Sequence, residues 1–403
     1  MGSIRIVGGG QAGASLAAKL RALGYDGEVT LFCAEPVPPY QRPPLSKGYL
    51  MGEMEAERLY LRPADFYEEQ GIELRLGASV EAINRPAQTL TVDGETVGYD
   101  RLALTTGSVP RRLPPAIGGD LEGVFEVRNL YDVDRLAPTF REGARVLVIG
   151  GGYIGLEAAA VARKLGLEVV LVEMAERILQ RVAAPETSDF FRALHKGHGV
   201  DIREGVGLVR LTGEGHVASA ELSDGTTLDV DFAIVGVGIA PNVTLAEQAG
   251  LEIDNGIKVD AMGRTSDPAI WAAGDCASFP LGETRIRLES VQNAIDQAEA
   301  VAANMLGQGG AYVPKPWFWS DQYDVKLQIA GLNTGYDRVI VRPGDREGGV
   351  SHWYFAGDQL ISVDAMNDAR NYMIGKRLIE AGRTVAPDVI ADPATDMKAL
   401  LKG

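Results

Sequence analysis

The chain has 403 residues, a net charge of −16 and two cysteines, with 46% apolar and 23% charged residues. That length predicts two to four domains of roughly 100–200 residues each. The acidity argues against general nucleic-acid binding, which needs Lys and Arg to neutralise phosphates. The sequence has no run of about eighteen apolar residues, so it predicts no membrane span. Two cysteines are too few for a disulfide framework or a zinc site. We expect a cytoplasmic protein that binds neither nucleic acid nor membrane and holds no metal.

Glycine is enriched, and part of the excess lies in one pattern that occurs twice. The chain has 49 glycines, about 12% against a typical usage of about 7%. Residues 4–13 (IRIVGGGQAG) and 146–155 (VLVIGGGYIG) align at an offset of 142 residues. Each copy has an apolar run, a G-x-G-x-x-G motif, an amphipathic stretch and a second apolar run that ends near an acid, Glu35 or Glu173. This order is typical of the strand–turn–helix–strand unit that binds a dinucleotide.

The three glycines of each motif have separate roles. The first makes the turn, the second lets the backbone approach the pyrophosphate, and the third lets the helix pack on the strand. The helix N-terminus then faces the phosphates. We predict these roles for two sets of residues: Gly8, Gly10 and Gly13 in the first copy, and Gly150, Gly152 and Gly155 in the second.

Two such units in one chain indicate two dinucleotides, a flavin that is held and a nicotinamide that exchanges. Glu173 follows Gly150 by 23 residues. A carboxylate near this position accepts hydrogen bonds from the ribose 2′-OH and repels a 2′-phosphate. Met174 and Ala175 follow it, and Arg177 is the nearest arginine after it. The pattern favours NADH over NADPH.

Further motifs resemble a known family. The stretches TTG at 105–107, VGVGIAPN at 235–242 and AAGDCA at 272–277 resemble the flavoprotein reductases of the glutathione reductase type. Three further stretches resemble one branch of that family: PPYQRPPLSKGYL at 38–50, ESVQNAIDQA at 289–298 and PWFWSDQY at 316–323. The branch comprises the NADH-dependent ferredoxin reductases of bacterial oxygenase systems, of the putidaredoxin reductase and biphenyl dioxygenase reductase types. The resemblance spans nearly the whole chain.

That resemblance implies an α/β fold with two Rossmann-like dinucleotide-binding domains, as in glutathione reductase, and a C-terminal α+β domain. We place a discontinuous FAD-binding domain at 1–112 and 241–315, an NAD-binding domain at 113–240 and the C-terminal domain at 316–403.

The resemblance also implies residues for the FAD site. Besides the first glycine set, eight residues are implied to bind the adenosine, the ribityl chain or the flavin ring of FAD. They are Glu35, Arg42, Lys47, Val80, Arg128, Asp275, Val291 and Trp319. For NADH it implies the second glycine set with four further residues: Ile154, Glu157, Glu173 and Gly238. Lys47, Glu157 and Trp319 are the expected catalytic residues, with Glu157 paired to Lys47 near the nicotinamide.

Plain structural interpretations stay open for several of these residues. Lys47 could be a solvated lysine after a proline-rich turn, and Glu157 a helix-surface acid. Asp275 could be a turn or helix N-cap acid. Trp319, with Trp317, could be a core aromatic. The pair His195 and His198 is interpreted as a feature of a surface helix.

Relatives that reduce disulfides need a cysteine pair beside the flavin, and Cys33 and Cys276 do not form one in sequence. Electrons therefore cannot leave through such a pair, and the resemblance implies hydride transfer from NADH to FAD, followed by single electrons to a [2Fe–2S] ferredoxin that supplies a cytochrome P450 or a Rieske oxygenase. The alternatives are reduction of rubredoxin, quinone or monodehydroascorbate, or a binding role like that of apoptosis-inducing factor.

The partner would meet a strongly acidic reductase, so docking needs a local basic patch. Residues 311–403 carry 11 basic and 12 acidic residues, much less net charge than the rest. The candidate docking residues are Arg287, Lys315, Lys326 and Arg338. For assembly we expect a monomer or a weak homodimer.

Overall fold

The computed structural model describes residues 2–402. Within them the α-helices, in chain order, are α1 (Gln11–Ala22), α2 (Ala64–Glu69), α3 (Leu130–Leu136), α4 (Tyr153–Lys164), α5 (Pro185–Gly197), α6 (Thr244–Gln248), α7 (Val291–Met305), α8 (Ala369–Glu380) and α9 (Pro387–Ala391).

The strands, in chain order, are β1 (Ser3–Val7), β2 (Glu28–Cys33), β3 (Ile72–Leu76), β4 (Val80–Asn84), β5 (Thr89–Val92), β6 (Glu95–Gly98), β7 (Arg101–Leu104), β8 (Ser108–Pro110), β9 (Val124–Phe125), β10 (Arg145–Ile149), β11 (Glu168–Glu173), β12 (Asp201–Glu204), β13 (Leu208–Thr212), β14 (Ser219–Leu222), β15 (Thr227–Asp229), β16 (Phe232–Val235), β17 (Ile239–Pro241), β18 (Ile257–Lys258), β19 (Ile270–Ala272), β20 (Ala277–Leu281), β21 (Thr284–Ile286), β22 (Trp317–Gln322), β23 (Val325–Gly331), β24 (Arg338–Pro343), β25 (Val350–Ala356) and β26 (Gln359–Met366).

The described chain divides into two compact units. The first unit comprises residues 2–42, 55–109 and 239–314, and the second comprises residues 43–54, 110–238 and 315–402. The segment 43–54 therefore groups with the second unit, whereas the sequence prediction placed it in the FAD-binding domain. Side chains explain this grouping: Tyr49 OH donates to Asp134 Oδ1 at 2.6 Å, and Lys164 Nζ donates to Glu53 Oε1 at 3.2 Å.

The first unit is built on a parallel sheet in the order β19-β7-β1-β2-β3. Its strands are short apolar runs, and Ile4 and Ile6 of β1 are fully buried. Helices α1 and α7 cover one face, where Leu16 and Ala298 join one hydrophobic core. A smaller antiparallel sheet, β4-β5-β6, contributes Leu90 to a second core.

The second unit repeats the parallel arrangement in the order β12-β11-β10-β16-β9 and adds an antiparallel sheet in the order β22-β23-β26-β25-β24. Trp353 and Val363 of the antiparallel sheet pack against Leu378 of α8. Because strand order and direction match the expected class, the prediction of two Rossmann-like α/β folds and a C-terminal α+β part is confirmed.

Candidate functional site

The loop between β1 and α1 is a backbone cradle. Gly8 has a φ of 115°, and a Cβ there would lie 2.3 Å from the carbonyl oxygen of Thr105. A Cβ at Gly13 would lie 2.1 Å from Gly8 O, whereas one at Gly10 would meet no described atom within 4 Å. Helix α1 has neither a side-chain N-cap nor an acid in its first turn. Its N-terminal N–H groups therefore face an opening that suits a phosphate.

A cavity of about 400 Å³ lies beside this cradle in the first unit. Its lining includes Gly8, Ala34, Val80, Thr106 and Asn242. Small-molecule sites have volumes of roughly 300–1,000 Å³, so the space suits a nucleoside. Val80 lines this cavity, and its role as an adenine contact stays a prediction.

Glu35 follows β2 and is held by two side chains. Tyr40 OH and Arg42 Nη2 each donate a hydrogen bond to its carboxylate at 2.6 Å. Burial disfavours the charge of Arg42, but Tyr40 and Glu35 outweigh that effect, and the pKa of Arg42 is raised. Arg42 is therefore a fixed cation at the acid that follows the first cradle.

Asp275 lies on a segment that α7 holds in place. Ser108 Oγ donates to Asp275 Oδ2 at 2.9 Å, and Gly274 N donates to Gln297 Oε1 at 2.9 Å. Helix α7 begins at Val291, and its N-cap is Ser290. Asp275 is therefore not the N-cap of the helix that follows it, so the helix N-cap interpretation does not apply to α7.

The loop between β10 and α4 repeats the cradle in the second unit. A Cβ at Gly150, where φ is 106°, would lie 2.4 Å from Gly236 O, and one at Gly155 would lie 2.1 Å from Gly150 O. A Cβ at Gly152 would meet no described atom within 4 Å. Helix α4 also has neither a side-chain N-cap nor an acid in its first turn. This loop fits a second pyrophosphate.

Glu173 is held differently from Glu35. Its carboxylate accepts from two backbone groups, Gly151 N at 2.7 Å and Ala175 N at 2.8 Å. The surrounding apolar side chains are exposed, with Ile154 at 46%, Met174 at 81% and Val237 at 40%. The acid is therefore fixed against the glycine loop of a site whose apolar rim is open.

Lys47 and Glu157 form an ion pair in the second unit, in which Glu157 is buried and Lys47 partly buried. Lys47 Nζ lies 2.9 Å from Glu157 Oε2, and only 4% of the Glu157 side chain is exposed. Ser46 Oγ donates to Glu157 Oε2 at 2.8 Å, and Ser320 Oγ donates to Oε1 at 2.7 Å. Glu157 is thus not a helix-surface acid, and Lys47 is not a freely solvated lysine. Their roles towards a ligand stay predictions.

The other predicted residues of the second unit lie on separate elements. Trp319 is on β22, and its ring centroid lies 5.4 Å from that of Trp317. Arg128 precedes α3, and its N–H donates to Asp132 Oδ2 at 3.0 Å. Gly238, with a φ of 98°, accepts from Arg111 N through its carbonyl oxygen at 2.9 Å.

One interpretation of the sequence was wrong, and one docking candidate is less accessible than expected. His195 is fully buried rather than on a helix surface, and burial lowers its pKa to about 4. The docking role of Arg287 stays a prediction, although its side chain is only 10% exposed and lies 2.6 Å from Glu289. The other three docking candidates are exposed.

Sequence reasoning missed four polar residues around Glu157: Ser46, Ser320, Gln322 and His195. The first three lie inside motifs that carried the resemblance, with Ser46 next to Lys47, Ser320 next to Trp319 and Gln322 two residues after Ser320. That proximity was the available signal. For His195, its position on a predicted helix gave no signal of a contact with Gln322.

Both cysteines are free and buried, and burial raises the pKa of Cys33 to about 12. Among residues 2–402 there is no group of three or more His, Cys, Asp or Glu that could hold a metal ion. In the same range no helix is long and apolar enough to cross a membrane.

Comparisons with known proteins agree with this geometry. The model of the pyridine nucleotide-disulphide oxidoreductase family matches residues 2–298, and a reductase C-terminal family matches 317–401. The chain belongs to the pyridine nucleotide-disulphide oxidoreductase family. As a member, it is an oxidoreductase that uses FAD and NAD(H), which fits its two glycine cradles.

Individual relatives of this pyridine nucleotide-disulphide oxidoreductase are similar over nearly their full length. A ferredoxin–NAD(P)(+) reductase of Sphingomonas sp. is 43% identical, with 98% of this chain and 96% of that protein covered. Putidaredoxin reductase of Pseudomonas putida is 42% identical, with coverages of 99% and 96%. The rubredoxin–NAD(+) reductase of Pseudomonas putida is 36% identical, with coverages of 91% and 96%.

Solved structures give the same result. A covalent putidaredoxin reductase–putidaredoxin complex matches with a TM-score of 0.96 and 40% identity, covering 100% of this chain and 98% of the other. The ferredoxin reductase for the CYP199A2 system of Rhodopseudomonas palustris matches with a TM-score of 0.95 and 40% identity, covering 99% of each chain.

Proposed function

We propose that the chain is an NADH-dependent ferredoxin reductase that passes single electrons to a [2Fe–2S] ferredoxin, which in turn supplies a cytochrome P450 or a Rieske oxygenase. The observation that carries the proposal is the pair of glycine cradles, each open at its second glycine. Bound FAD would supply the redox chemistry, taking up a hydride from NADH and giving up the two electrons singly. The ferredoxin reductases among the relatives support this acceptor.

The residues of the first unit bind the flavin dinucleotide in this proposal. The N–H groups at Gly10 and the start of α1 hold the pyrophosphate, and Glu35 accepts from the adenosine ribose. Arg42 supplies a cation that Glu35 keeps in place at 2.6 Å. Asp275 accepts from the ribityl chain, and Val291 contacts the flavin edge.

The residues of the second unit bind and orient NADH. Glu173 accepts from the ribose of the nicotinamide dinucleotide, and its charge selects NADH over NADPH. Glu157 accepts from the carboxamide and fixes Lys47, whose positive charge favours the reduced flavin. We keep Arg128 and Trp319 as flavin contacts. Hydride transfer then depends on proximity and orientation rather than on a protein acid or base.

We propose that the ferredoxin docks through cations of the C-terminal part. Lys315, Lys326 and Arg338 are exposed there, and the net charge of 311–403 is close to zero. A local patch of this kind lets an acidic partner approach an acidic protein. A cytoplasmic location and a monomeric or weakly dimeric state complete the proposal.

An acceptor panel tests this function. The purified holoenzyme is given NADH and, in separate reactions, a [2Fe–2S] ferredoxin, a rubredoxin, a quinone and monodehydroascorbate. We expect the ferredoxin to be reduced with the highest kcat/KM. A higher value for another acceptor, or slow NADH oxidation with all four, would replace the proposed function by the corresponding alternative.

A further inference from the structure

A chain of buried hydrogen bonds leads from α5 to the carboxylate of Glu157. His195 Nε2 lies 2.8 Å from Gln322 Oε1, and Gln322 Nε2 donates to Ser320 Oγ at 3.1 Å. Ser320 Oγ donates to Glu157 Oε1 at 2.7 Å. All four residues belong to the second unit, and three different elements contribute them: α5, β22 and α4.

The donor and acceptor groups give this series of hydrogen bonds one direction, from His195 to Glu157. Because Gln322 Oε1 can only accept, His195 carries its proton on Nε2, and Nδ1 is the acceptor for Tyr323 OH at 3.4 Å. Ser320 has one hydroxyl proton. Since the Gln322 amide donates to its oxygen, that proton is turned towards Glu157. Every donor therefore points towards the carboxylate.

Burial makes the arrangement costly to leave incomplete. His195, Ser320 and Gln322 are fully buried, and Glu157 is 3% exposed. A buried polar group that loses its partner destabilises the fold, and hydrogen bonds in series strengthen one another. Burial also keeps His195 neutral near pH 7, because it lowers the pKa of the imidazole to about 4.

The hydrogen bonds to Glu157 leave part of its carboxylate free to accept another donor. Glu157 Oε2 accepts from both Ser46 and Lys47, whereas Oε1 accepts from Ser320. A carboxylate has about four acceptor positions, so Oε1 keeps one position for the carboxamide of a bound nicotinamide. The orientation of Oε1 is thus set from the Ser320 side.

We propose that Ser320, Gln322 and His195 are positioning residues for hydride transfer, acting in series to orient Glu157 Oε1 and stabilise its negative charge. The inference rests on the proposed function, because it needs Glu157 at the nicotinamide. All three are fully buried, so a ligand cannot reach them without a change in the fold. Their effect reaches the reaction only through Glu157 and its partner Lys47.

The test measures flavin reduction by NADH in the holoenzyme under anaerobic stopped flow. Ser320→Ala should lower the limiting rate constant about tenfold, which corresponds to about 1.4 kcal/mol, because it removes a hydrogen bond to the Glu157 carboxylate. His195→Met should lower it about threefold, since it acts through two further bonds. His195→Gln keeps a donor at the place of Nε2 and should restore most of the rate.

Two control variants remove buried hydrogen bonds that do not lead to Glu157. Ser362 is fully buried, and its Oγ donates to Ala330 O at 2.9 Å in the same antiparallel sheet. Thr187 is fully buried on α5 and donates to Asp364 Oδ2 at 2.8 Å. Ser362→Ala and Thr187→Val should lower Tm as much as the test variants but leave the rate constant within about twofold.

The outcomes are distinct. A rate loss in Thr187→Val equal to that in His195→Met, an unchanged rate in His195→Met, or no difference between His195→Gln and His195→Met would overturn the series. Electron transfer from dithionite-reduced enzyme to ferredoxin should be unchanged in all variants, and its parallel loss would also overturn the proposal. If NADH fails to reduce the wild-type flavin, the proposed function itself fails.

Discussion

The two dinucleotide-binding loops share a backbone but differ in what surrounds them. In both, the first and third glycines are packed against backbone atoms, and the second is open. The acid after the first loop is held by Tyr40 and Arg42, whereas Glu173 is held by backbone N–H groups. Met174, directly after Glu173, is 81% exposed, whereas Leu76, which pairs with Cys33 near Glu35, is 41% exposed. The same cradle thus occurs beside an acid held by a partly buried cation in the first unit and beside an acid held by backbone N–H groups in the second.

Substitution of the open glycines should separate the two sites most strongly. Gly10→Ala and Gly152→Ala place a methyl group where the fold has space, with φ values of −89° and −80° that alanine adopts readily. The methyl group would instead meet the pyrophosphate. Because charge-assisted bonds to backbone N–H groups are lost, we expect an affinity loss of at least about a hundredfold.

Flavin content after purification and Kd for NADH provide the measurement. Gly10→Ala should lose flavin, and Gly152→Ala should keep its flavin and bind NADH weakly. The reverse assignment, or loss of folding by circular dichroism in either variant, would break the comparison.

Mild acid should destabilise the second unit selectively. Burial lowers the pKa of His195 and His352 to about 4, so stability falls as pH decreases from the unfolded value of 6.5 towards 4, by about 3 kcal/mol each. Asp364 acts oppositely, because burial raises its pKa to about 6 and its contribution is lost as pH rises through 6. The net effect is a loss of stability on acidification.

Hydrogen exchange between pH 7 and pH 4.5 checks this prediction. Protection should fall first in α5 and in the antiparallel sheet, which hold these groups. Asp364→Asn removes the opposing contribution, so its Tm relative to wild type should increase from pH 5 to pH 8. Earlier loss of protection in β1 and β2, or a pH-independent difference in Tm, would disagree with it.

Neutralising the two acids should affect different ligands. Glu173→Gln keeps the side-chain shape but loses the negative charge, and we expect about a tenfold rise in KM for NADH and a similar loss of discrimination against NADPH. Glu35→Gln should instead speed flavin release. Steady-state kinetics with both nucleotides and a flavin-release assay distinguish them. A change in NADPH discrimination in Glu35→Gln would show that the two loops are not functionally distinct.

The smallest effect is expected at the apolar rim. Met174→Ser removes exposed apolar surface that a bound adenine could cover, at about 25 cal/mol per Å². We expect KM for NADH to rise about threefold with kcat unchanged, measured in the same assay. Val313→Ser is the matched control, because Val313 is 72% exposed but lies in the first unit. An equal effect of both substitutions would show that Met174 does not contribute specifically to NADH binding.

The sequence was sufficient for features that depend on short segments. The glycine spacing, the apolar runs and the acids Glu35 and Glu173 define local units, and the structure has strands and helices there. The resemblance brought Lys47 together with Glu157 across 110 residues, and the structure joins them at 2.9 Å.

What could not be predicted depends on contacts between distant elements. Ser320 follows Trp319 on a strand whose faces cannot be assigned from its own residues. The position of His195 near the end of α5 gives no sign that Gln322 of β22 contacts it. Burial of Arg287 likewise depends on Asn255, to whose carbonyl oxygen it donates at 3.1 Å.

Anaerobic mixing of the holoenzyme with NADH, and then with a [2Fe–2S] ferredoxin, tests the central claim most directly. The account predicts that NADH bleaches the visible flavin band faster than the enzyme turns over. NADPH should do so much more slowly, and the reduced enzyme should then reduce two ferredoxins per flavin. Equal rates with both nucleotides would contradict the role of Glu173, and a reduced flavin that does not pass electrons to ferredoxin would contradict the proposed function.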